Sequence, residues 1–431
     1  MRVCVLGLWH LGTVTAAGLA ELGHQVTAVD FDAAQVAARA AGKAPVFEPG
    51  LDELLRRGCA SGRLRFAAPE EGLPQAEVVW AAYDTPVDDE DEPDVDFVLT
   101  RIEAAVARMS PNALLLVSAQ LPVGSVARLE RAATERGGRV RAACCPENLR
   151  LGSAVSDFLH PHRLVAGVRC AQDREVLTRL LGPMTASIEW MSVESAEMTK
   201  HALNAFLATS VAFANEIAGL CESVGADAAE VARGLKSEPR IGRGAYVSPG
   251  AAFSGGTLAR DVATLGRLSR ERDISTPLLS AVLPSNRLHQ EWVTRKLTRR
   301  FADFSRTTVA VWGLAYKPDT STLRRSSAVQ LCDWLLARGA AVRVHDPAVE
   351  ELPARWSGRV RRFSDPLEAA AGANAVVIAT GWPVYQRASA DQLARDSHEL
   401  LVLDANRCAP QLAIPHARLA YAAVGMPDPK E

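Results

Sequence analysis

Three features of the chain predict an α/β protein with two parallel-sheet domains and a helical middle. A strand–turn–helix–strand unit opens the sequence. A second such unit begins near residue 308, and one long apolar-faced helical pattern lies between them. The 431 residues suffice for two or three domains, each with its own core. Taken in order, Arg2–Leu6 is a short β-branched strand, followed by the turn Gly7-Leu8-Trp9-His10-Leu11-Gly12 and a helical pattern through Leu22. Residues 25–29 form the next strand, with Asp30 at its end. Residues 78–82, 113–118 and 140–144 read as further strands alternating with helical stretches, which implies a parallel sheet. From 194 to 225, Met198, Ala202, Ala205, Phe206 and Phe213 recur at helical spacing and predict one apolar face. The second unit starts at 308–313, continues through 341–344 to Asp346-Pro347, and adds strands at 376–380 and 400–404. Domain limits follow at 1–193, 194–298 and 299–431: two Rossmann-like domains flanking a helical one.

Composition narrows the function classes. Hydrophobic residues are 48% and charged residues 23%, ordinary for a globular domain. A net charge of −2 gives no basic field to recruit nucleic acid. No apolar run reads as a membrane span, and Met1 leads straight into the first strand without a signal peptide, so a cytoplasmic protein with no membrane partner is expected. The eight cysteines are scattered without a C-x-x-C pair, and adjacent Cys144 and Cys145 are too strained to bridge easily; reduced thiols and no metal site are expected. The acidic run 88–92 reads as a solvated loop.

The opening turn carries the first chemical signal. A dinucleotide site needs glycine where backbone meets pyrophosphate, and a helix N-terminus whose free N–H groups face the anion. Gly7 and Gly12 fit the outer glycines, while Trp9 stands where a middle glycine would be. That turn alone is equally consistent with a plain βα connection. Asp30 decides for a cofactor, because a carboxylate at the end of the second strand accepts ribose hydroxyls and repels a 2′-phosphate. NAD is expected over NADP, with Gly7, Trp9, His10, Leu11, Gly12, Asp30, Thr85 and Pro86 as the cofactor residues.

Several motifs then fall in one order along nearly the whole chain. They are Glu48-Pro49-Gly50-Leu51, Thr85-Pro86, Pro146-Glu147-Asn148-Leu149-Arg150 with Asp157-Phe158 and Arg163, Glu197-Met198-x-Lys200 with Asn204, and Arg240-Ile241-Gly242. Phe253-Ser254-Gly255-Gly256-Thr257-Leu258-Ala259-Arg260-Asp261, Gly313-Leu314-Ala315-Tyr316-Lys317 and Arg324-x-Ser326 complete the set. In type and order they resemble the UDP-glucose/GDP-mannose dehydrogenase family. The resemblance implies NAD-dependent oxidation of a nucleotide sugar, and at least a homodimer, since the family's R-I-G arginine reaches a neighbouring subunit's site.

Carried over residue by residue, the resemblance implies catalytic roles for Lys200, Asn204, Asp261 and Glu147. Lys200 and Asn204, four apart on one helix, share a face and suit stabilisation of an alkoxide or water oxygen. Asp261 would hold water or orient Lys200, and Glu147 would shuttle protons. Leu149, Arg150, Leu151, Arg240, Tyr246, Phe253, Gly256, Lys317 and Arg324 fall to the substrate, the arginines suiting diphosphate. His10 and His201 are more often incidental than proton carriers.

The departures from the family pattern are chemical. Its glycine loop carries a cysteine that captures a sugar aldehyde as a thiohemiacetal, so that a second hydride leaves and an acid forms. Here Thr257 stands at that position, Arg260 at the lysine, Leu151 at the second glutamate and Gln120 at a water-placing threonine. A threonine hydroxyl without a partnered base is a poor replacement for a thiolate. Three readings remain open: a two-electron oxidation stopping at aldehyde or ketone, a four-electron oxidation without a thioester, and a non-catalytic nucleotide binder.

Overall fold

The computed structural model describes residues 1–88, 93–254, 256–395 and 399–427, and the chain divides into two compact units, Met1–Ala202 and Leu203–Glu431. The first unit holds eight strands: β1 (Arg2–Leu6), β2 (Gln25–Val29), β3 (Leu64–Ala67), β4 (Val78–Ala81), β5 (Leu114–Val117), β6 (Arg141–Cys144), β7 (Leu164–Gly167) and β8 (Ile188–Met191). They form one sheet in the order β3-β2-β1-β4-β5-β6-β7-β8. Neighbours are parallel except β6 and β7, which pair antiparallel through Cys144 and Gly167. Alternation along β1 sends Val3 and Val5 into one core and Cys4 and Leu6 into the other, so helices cover both faces. Because β1 lies between β2 and β4, the chain reverses direction across the sheet there. The crevice at the carboxyl ends of β1 and β4 is therefore where a doubly wound sheet takes a ligand.

The second unit repeats this plan. It contains β9 (Thr308–Trp312), β10 (Ala341–His345), β11 (Val360–Arg362), β12 (Ala375–Ile378), β13 (Leu400–Leu403) and β14 (Leu419–Ala422), ordered β11-β10-β9-β12-β13-β14 and wholly parallel. Helices Ala228–Ser237, Thr257–Glu271, Pro277–Gln290 and Trp292–Arg300 precede that sheet. The long helix Val193–Val224 carries residues of both units.

That helix corrects one expectation, the composition of its apolar face. Its buried face within the second unit is made of small residues, Ala205, Ala208 and Ala212, packed against Val262 and Val282. Phe206 and Phe213 are instead 68% and 48% exposed. A close helix–helix approach needs small side chains, so the aromatic rings are turned outward. By length and composition the helix would also cross a membrane: 32 residues, with a window of mean hydropathy 1.2 that is 44% buried. The length is instead used inside the protein, where His201 and Asn204 are buried and hydrogen-bonded. In the acidic run, residues 89–92 lie outside the described part. Among the described residues no cluster of His, Cys, Asp or Glu is arranged for a metal, and Cys144 and Cys145 are both free and buried.

Candidate functional site

In the first unit the opening turn is built by contact. Gly7 has φ +100°, and a Cβ there would stand 2.8 Å from the Tyr83 ring; a Cβ on Gly12 would strike the Gly7 carbonyl. Both positions therefore require glycine. Trp9 does not need to be one: its φ of −83° is extended, it caps the helix His10–Glu21, and its carbonyl accepts Thr13 N–H at 2.9 Å. Its side chain is half exposed beside the turn.

Asp30 is buried at the end of β2, where it accepts Leu8 N–H at 2.8 Å on Oδ2 and Asp32 N–H at 3.0 Å on Oδ1. The equivalent aspartate of the second unit, Asp346 after β10, is saturated. It accepts N–H bonds from Leu314, Ala315, Ala348 and Val349 and from the Trp382 indole. A carboxylate offers about four lone-pair directions. Asp30 therefore retains acceptor capacity for ribose hydroxyls, and Asp346 has none to spare. This comparison assigns the dinucleotide to the first unit. Beside Asp30, buried Arg39 turns its donors inward to Leu8 O, Gln35 Oε1 and Lys43 O, away from any 2′-phosphate. The turn, the helix N-terminus and Asp30 fit NAD.

Lys200 lies in the same unit. Its Nζ donates to Glu147 O at 2.6 Å and Asn148 Oδ1 at 3.5 Å, and stands 3.5 Å from Glu147 Oε1. Glu147 Oε2 accepts Leu149 N–H at 2.7 Å, so this glutamate both orders its own loop and faces the ammonium. A small cavity is lined by Gln120, Pro146, Glu147, Glu197 and Lys200. Its walls are pinned by Glu197, whose carboxylate accepts Gly124 N–H at 2.7 Å and Val126 N–H at 2.9 Å. Burial raises the Glu197 carboxyl above its ordinary pKa, and those two N–H groups oppose the rise. Gln120 O accepts the Thr85 hydroxyl at 2.8 Å, which joins the cofactor-side loop to this wall; Pro86 follows it exposed. His201 is buried with its ring bonded to Leu121 O at 3.0 Å, a packing role. His10 pairs with Glu48 at 2.9 Å, and Glu48 also accepts Gly152 and Ala154 N–H at 2.9 Å each, holding the turn that contains Leu151. Arg150 is exposed and engaged by Asp157, whose carboxyl it holds below the usual range.

The second unit carries the glycine loop, of which Gly255 lies outside the described residues. Asn286 clamps Phe253 from both sides, accepting its N–H at 3.0 Å and donating to its carbonyl at 2.8 Å. Asn215 accepts Gly250 N–H, His289 meets Gly250 O and Asn406 accepts Ala251 N–H. Thr257 opens the helix Thr257–Glu271 with its side chain exposed, while Asp261 one turn later is fully buried and bonded to Asn204 Nδ2. Gly256 has φ +117°, and a Cβ there would come 2.8 Å from Arg325 Nη1. Arg325 therefore lies over the loop, whereas the motif arginine Arg324 is exposed. Lys317 stands 5.7 Å from the Tyr316 ring. Arg240 is 87% exposed at its side chain and paired with Glu238 at 2.8 Å; Tyr246 is also exposed.

Three family models match in sequence. The NAD binding domain of the UDP-glucose/GDP-mannose dehydrogenase family covers residues 1–185, its central domain 194–288 and its UDP binding domain 310–411. The chain belongs to the UDP-glucose/GDP-mannose dehydrogenase family. It is an NAD-dependent dehydrogenase by that membership. A UDP-glucose 6-dehydrogenase of Pseudomonas aeruginosa is 34% identical, over 99% of this chain and 98% of that protein. One from Bacillus subtilis is 32% identical over 89% of this chain and 88% of that protein. The solved UDP-glucose dehydrogenase of Pyrobaculum islandicum superposes with a TM-score of 0.86 at 31% identity, covering 98% of this chain and 97% of that one.

Sequence reasoning passed over three residues that the geometry brings forward. Asp84 immediately precedes Thr85-Pro86 and accepts Leu11 N–H; a carboxylate next to an expected phosphate site was a readable signal. Arg325 adjoins the motif arginine and was hidden by it. Asn286 lies in no motif, and only the fold brings it to Phe253. Asn286→Ala should raise amide exchange at Phe253 about tenfold, as two bonds of about 1 kcal/mol each are partly replaced by water. Hydrogen–deuterium exchange with unchanged protection at 253 would remove the clamp's role.

Proposed function

We propose that this dehydrogenase oxidises an alcohol on a nucleotide sugar by two electrons and releases the aldehyde or ketone. The observation that carries the reading is Thr257 at the place of the family's nucleophile: it is exposed, and an aliphatic hydroxyl is so weak an acid that even a helix start, which favours an anion, leaves it protonated. The nucleotide-sugar substrate is supported by the UDP binding domain match and by the names of the relatives. The balance is R–CHOH–R′ plus NAD⁺ giving R–CO–R′, NADH and one proton. Bound NAD supplies the hydride acceptor for the carbinol carbon.

The chain's own groups have the remaining work. Lys200, a cation on the wall of the small cavity beside Glu147, with one close bond to Glu147 O and two longer contacts that a ligand can replace, suits stabilisation of an oxyanion on the carbinol oxygen. Glu147, adjoining it, is placed to accept the proton through water. Asn204 and Asp261 form a buried amide–carboxylate pair suited to holding a water or a sugar hydroxyl in a fixed direction. Leu149, Leu151, Arg150, Phe253, Gly256, Tyr246, Lys317, Arg324 and Arg240 are proposed to line or hold the substrate, within a three-part organisation of 1–193, 194–298 and 299–431. A homodimer is proposed from the exposed phenylalanines of the long helix together with exposed Arg240. A cytoplasmic location is consistent with the free thiols.

Three outcomes are expected. NAD should bind at least about tenfold more tightly than NADP, on the order of 1.4 kcal/mol, because Asp30 meets the ribose; equal dissociation constants would refute the Asp30 assignment. Sedimentation should report a dimer, and a fully active monomer would leave Arg240 without a partner site. With UDP-glucose and related UDP-sugars as candidate substrates, each molecule turned over should yield one NADH and a product trapped by hydroxylamine. Thr257→Ala should keep its activity within about fivefold of the wild type, since one hydroxyl hydrogen bond is worth about 1 kcal/mol. Lys200→Ala should lose on the order of a hundredfold in rate. Two NADH per substrate, an acid product and an inactive Thr257→Ala enzyme would make Thr257 a nucleophile and overturn the two-electron reading.

A further inference from the structure

The first turn of the helix His10–Glu21 presents N–H groups that no intrahelical carbonyl accepts, since the helical ladder begins with Thr13 N–H on Trp9 O. In a glycine turn that binds a dinucleotide, such donors meet the diphosphate. Here one of them is already engaged: Leu11 N–H donates to Asp84 Oδ2 at 2.9 Å. Asp84 leaves the carboxyl end of β4, and its neighbour Thr85 is tied by its hydroxyl to Gln120 O. Two glycines bring this same turn close to β4, with Ala82 O 3.1–3.2 Å from the Cβ that either would carry. A carboxylate thus sits where an anionic ligand is bound in turns of this kind.

We propose that Asp84 is a built-in occupant of the dinucleotide phosphate position, so that NAD binds in competition with its carboxylate and binding is coupled to its protonation. The inference rests on the assignment of NAD to the first unit. Ionised Asp84, one proton from solvent and NAD combine to give the complex with Asp84 as a neutral carboxyl, and charge is conserved. The neutral group no longer repels the diphosphate, and it can turn from acceptor to donor.

The surroundings favour such a proton. Withdrawal from water pushes the Asp84 carboxyl up to about 6, and nearby Glu147 adds to the rise, while Leu11 N–H and His10 oppose it. His10, from the opening helix, is held by Glu48; Glu147, from the loop after β6, faces Lys200 of the long helix. As pH falls through about 6 the free protein carries Asp84 increasingly neutral, and NAD binding draws progressively less than one proton from solvent. Above it, each NAD bound draws one in. Affinity should then fall as pH rises, at most about tenfold per pH unit for one proton.

The test is isothermal titration of the full-length protein with NAD from pH 5.5 to 8.5, for the wild type, Asp84→Asn and Asp84→Gly. Two buffers of different ionisation enthalpy at pH 7.5 count the protons. The wild type should weaken steadily above pH 6 and take up close to one proton per NAD at pH 7.5. Asp84→Asn, which keeps an acceptor for Leu11 N–H without the charge, should bind at pH 8 at least about tenfold more tightly than the wild type, with a flat profile. Asp84→Gly should do the same if it folds, which thermal melting of the free protein reads. ADP-ribose should reproduce the wild-type pH slope and adenosine, lacking the diphosphate, should not. Identical dissociation constants and slopes for wild type and Asp84→Asn would overturn the role of Asp84 and leave NAD binding standing. No NAD binding by any of the three proteins at any pH would overturn both.

Discussion

The close approach of Gly12 to the carbonyl of Gly7 is the constraint from which the cofactor half of this protein follows. It closes the connection from β1 to its helix so tightly that no Cβ fits at either residue. The helix therefore begins against the sheet, with its first donors at the carboxyl ends of β1 and β4. Leu8 N–H is thereby delivered to Asp30 and Leu11 N–H to Asp84. Two carboxylates are thus drawn to one turn, and they act differently because their positions differ. Asp30 is bonded by backbone and keeps lone pairs for neutral hydroxyls, a contact that costs no repulsion. Asp84 occupies a place where the incoming ligand is itself an anion. The same backbone geometry that makes the turn an anion site makes a neighbouring carboxylate its competitor.

The two sheets show how one topology separates into two chemical uses. Both run in the order that puts the first strand beside the second and fourth, and both end the second strand in a buried aspartate. In the second unit five donors converge on Asp346, which makes it a brace for its own loops. Saturation of hydrogen-bonding capacity distinguishes a structural carboxylate from one open to a ligand, where fold and burial alone do not.

Much of this was legible in the chain because periodicity and punctuation carry it. The strands of both open sheets through β13 that border the switch points, the opening glycines, Asp30 and the long helix are local patterns, and each formed within a residue or two of its expected limits. The strands β3, β7, β8, β11 and β14 were not read: they lie at or next to the sheet edges, and runs such as Leu64–Ala67, Ile188–Met191 and Val360–Arg362 carry charged residues where central strands such as Leu114–Val117 are continuously apolar. The apolar face of the long helix was misread because hydrophobicity alone ranks Phe206 above Ala205, whereas close helix packing selects by size. Within the site, the contact of Lys200 with Glu147 joins residues 53 apart that no spacing in the chain links, and Asn286 and Arg325 likewise could be found only in three dimensions.

The substitutions and the retained groups divide along the line between two kinds of chemistry. A hydride transfer needs an oriented carbinol, a stabilised oxygen and a route for one proton, and Lys200, Glu147, Asn204 and Asp261 are groups of those kinds, each held by a polar partner. An acyl intermediate needs a low-pKa nucleophile and a positioned water. At the first of these places stands an exposed threonine, and beside the second an aliphatic leucine and a glutamine whose carbonyl serves Thr85. Arg325 adds a guanidinium over the loop where a thiolate would have carried negative charge. That electrostatic arrangement suits a ligand that brings its own negative charge to the loop, as a nucleotide sugar does through its diphosphate.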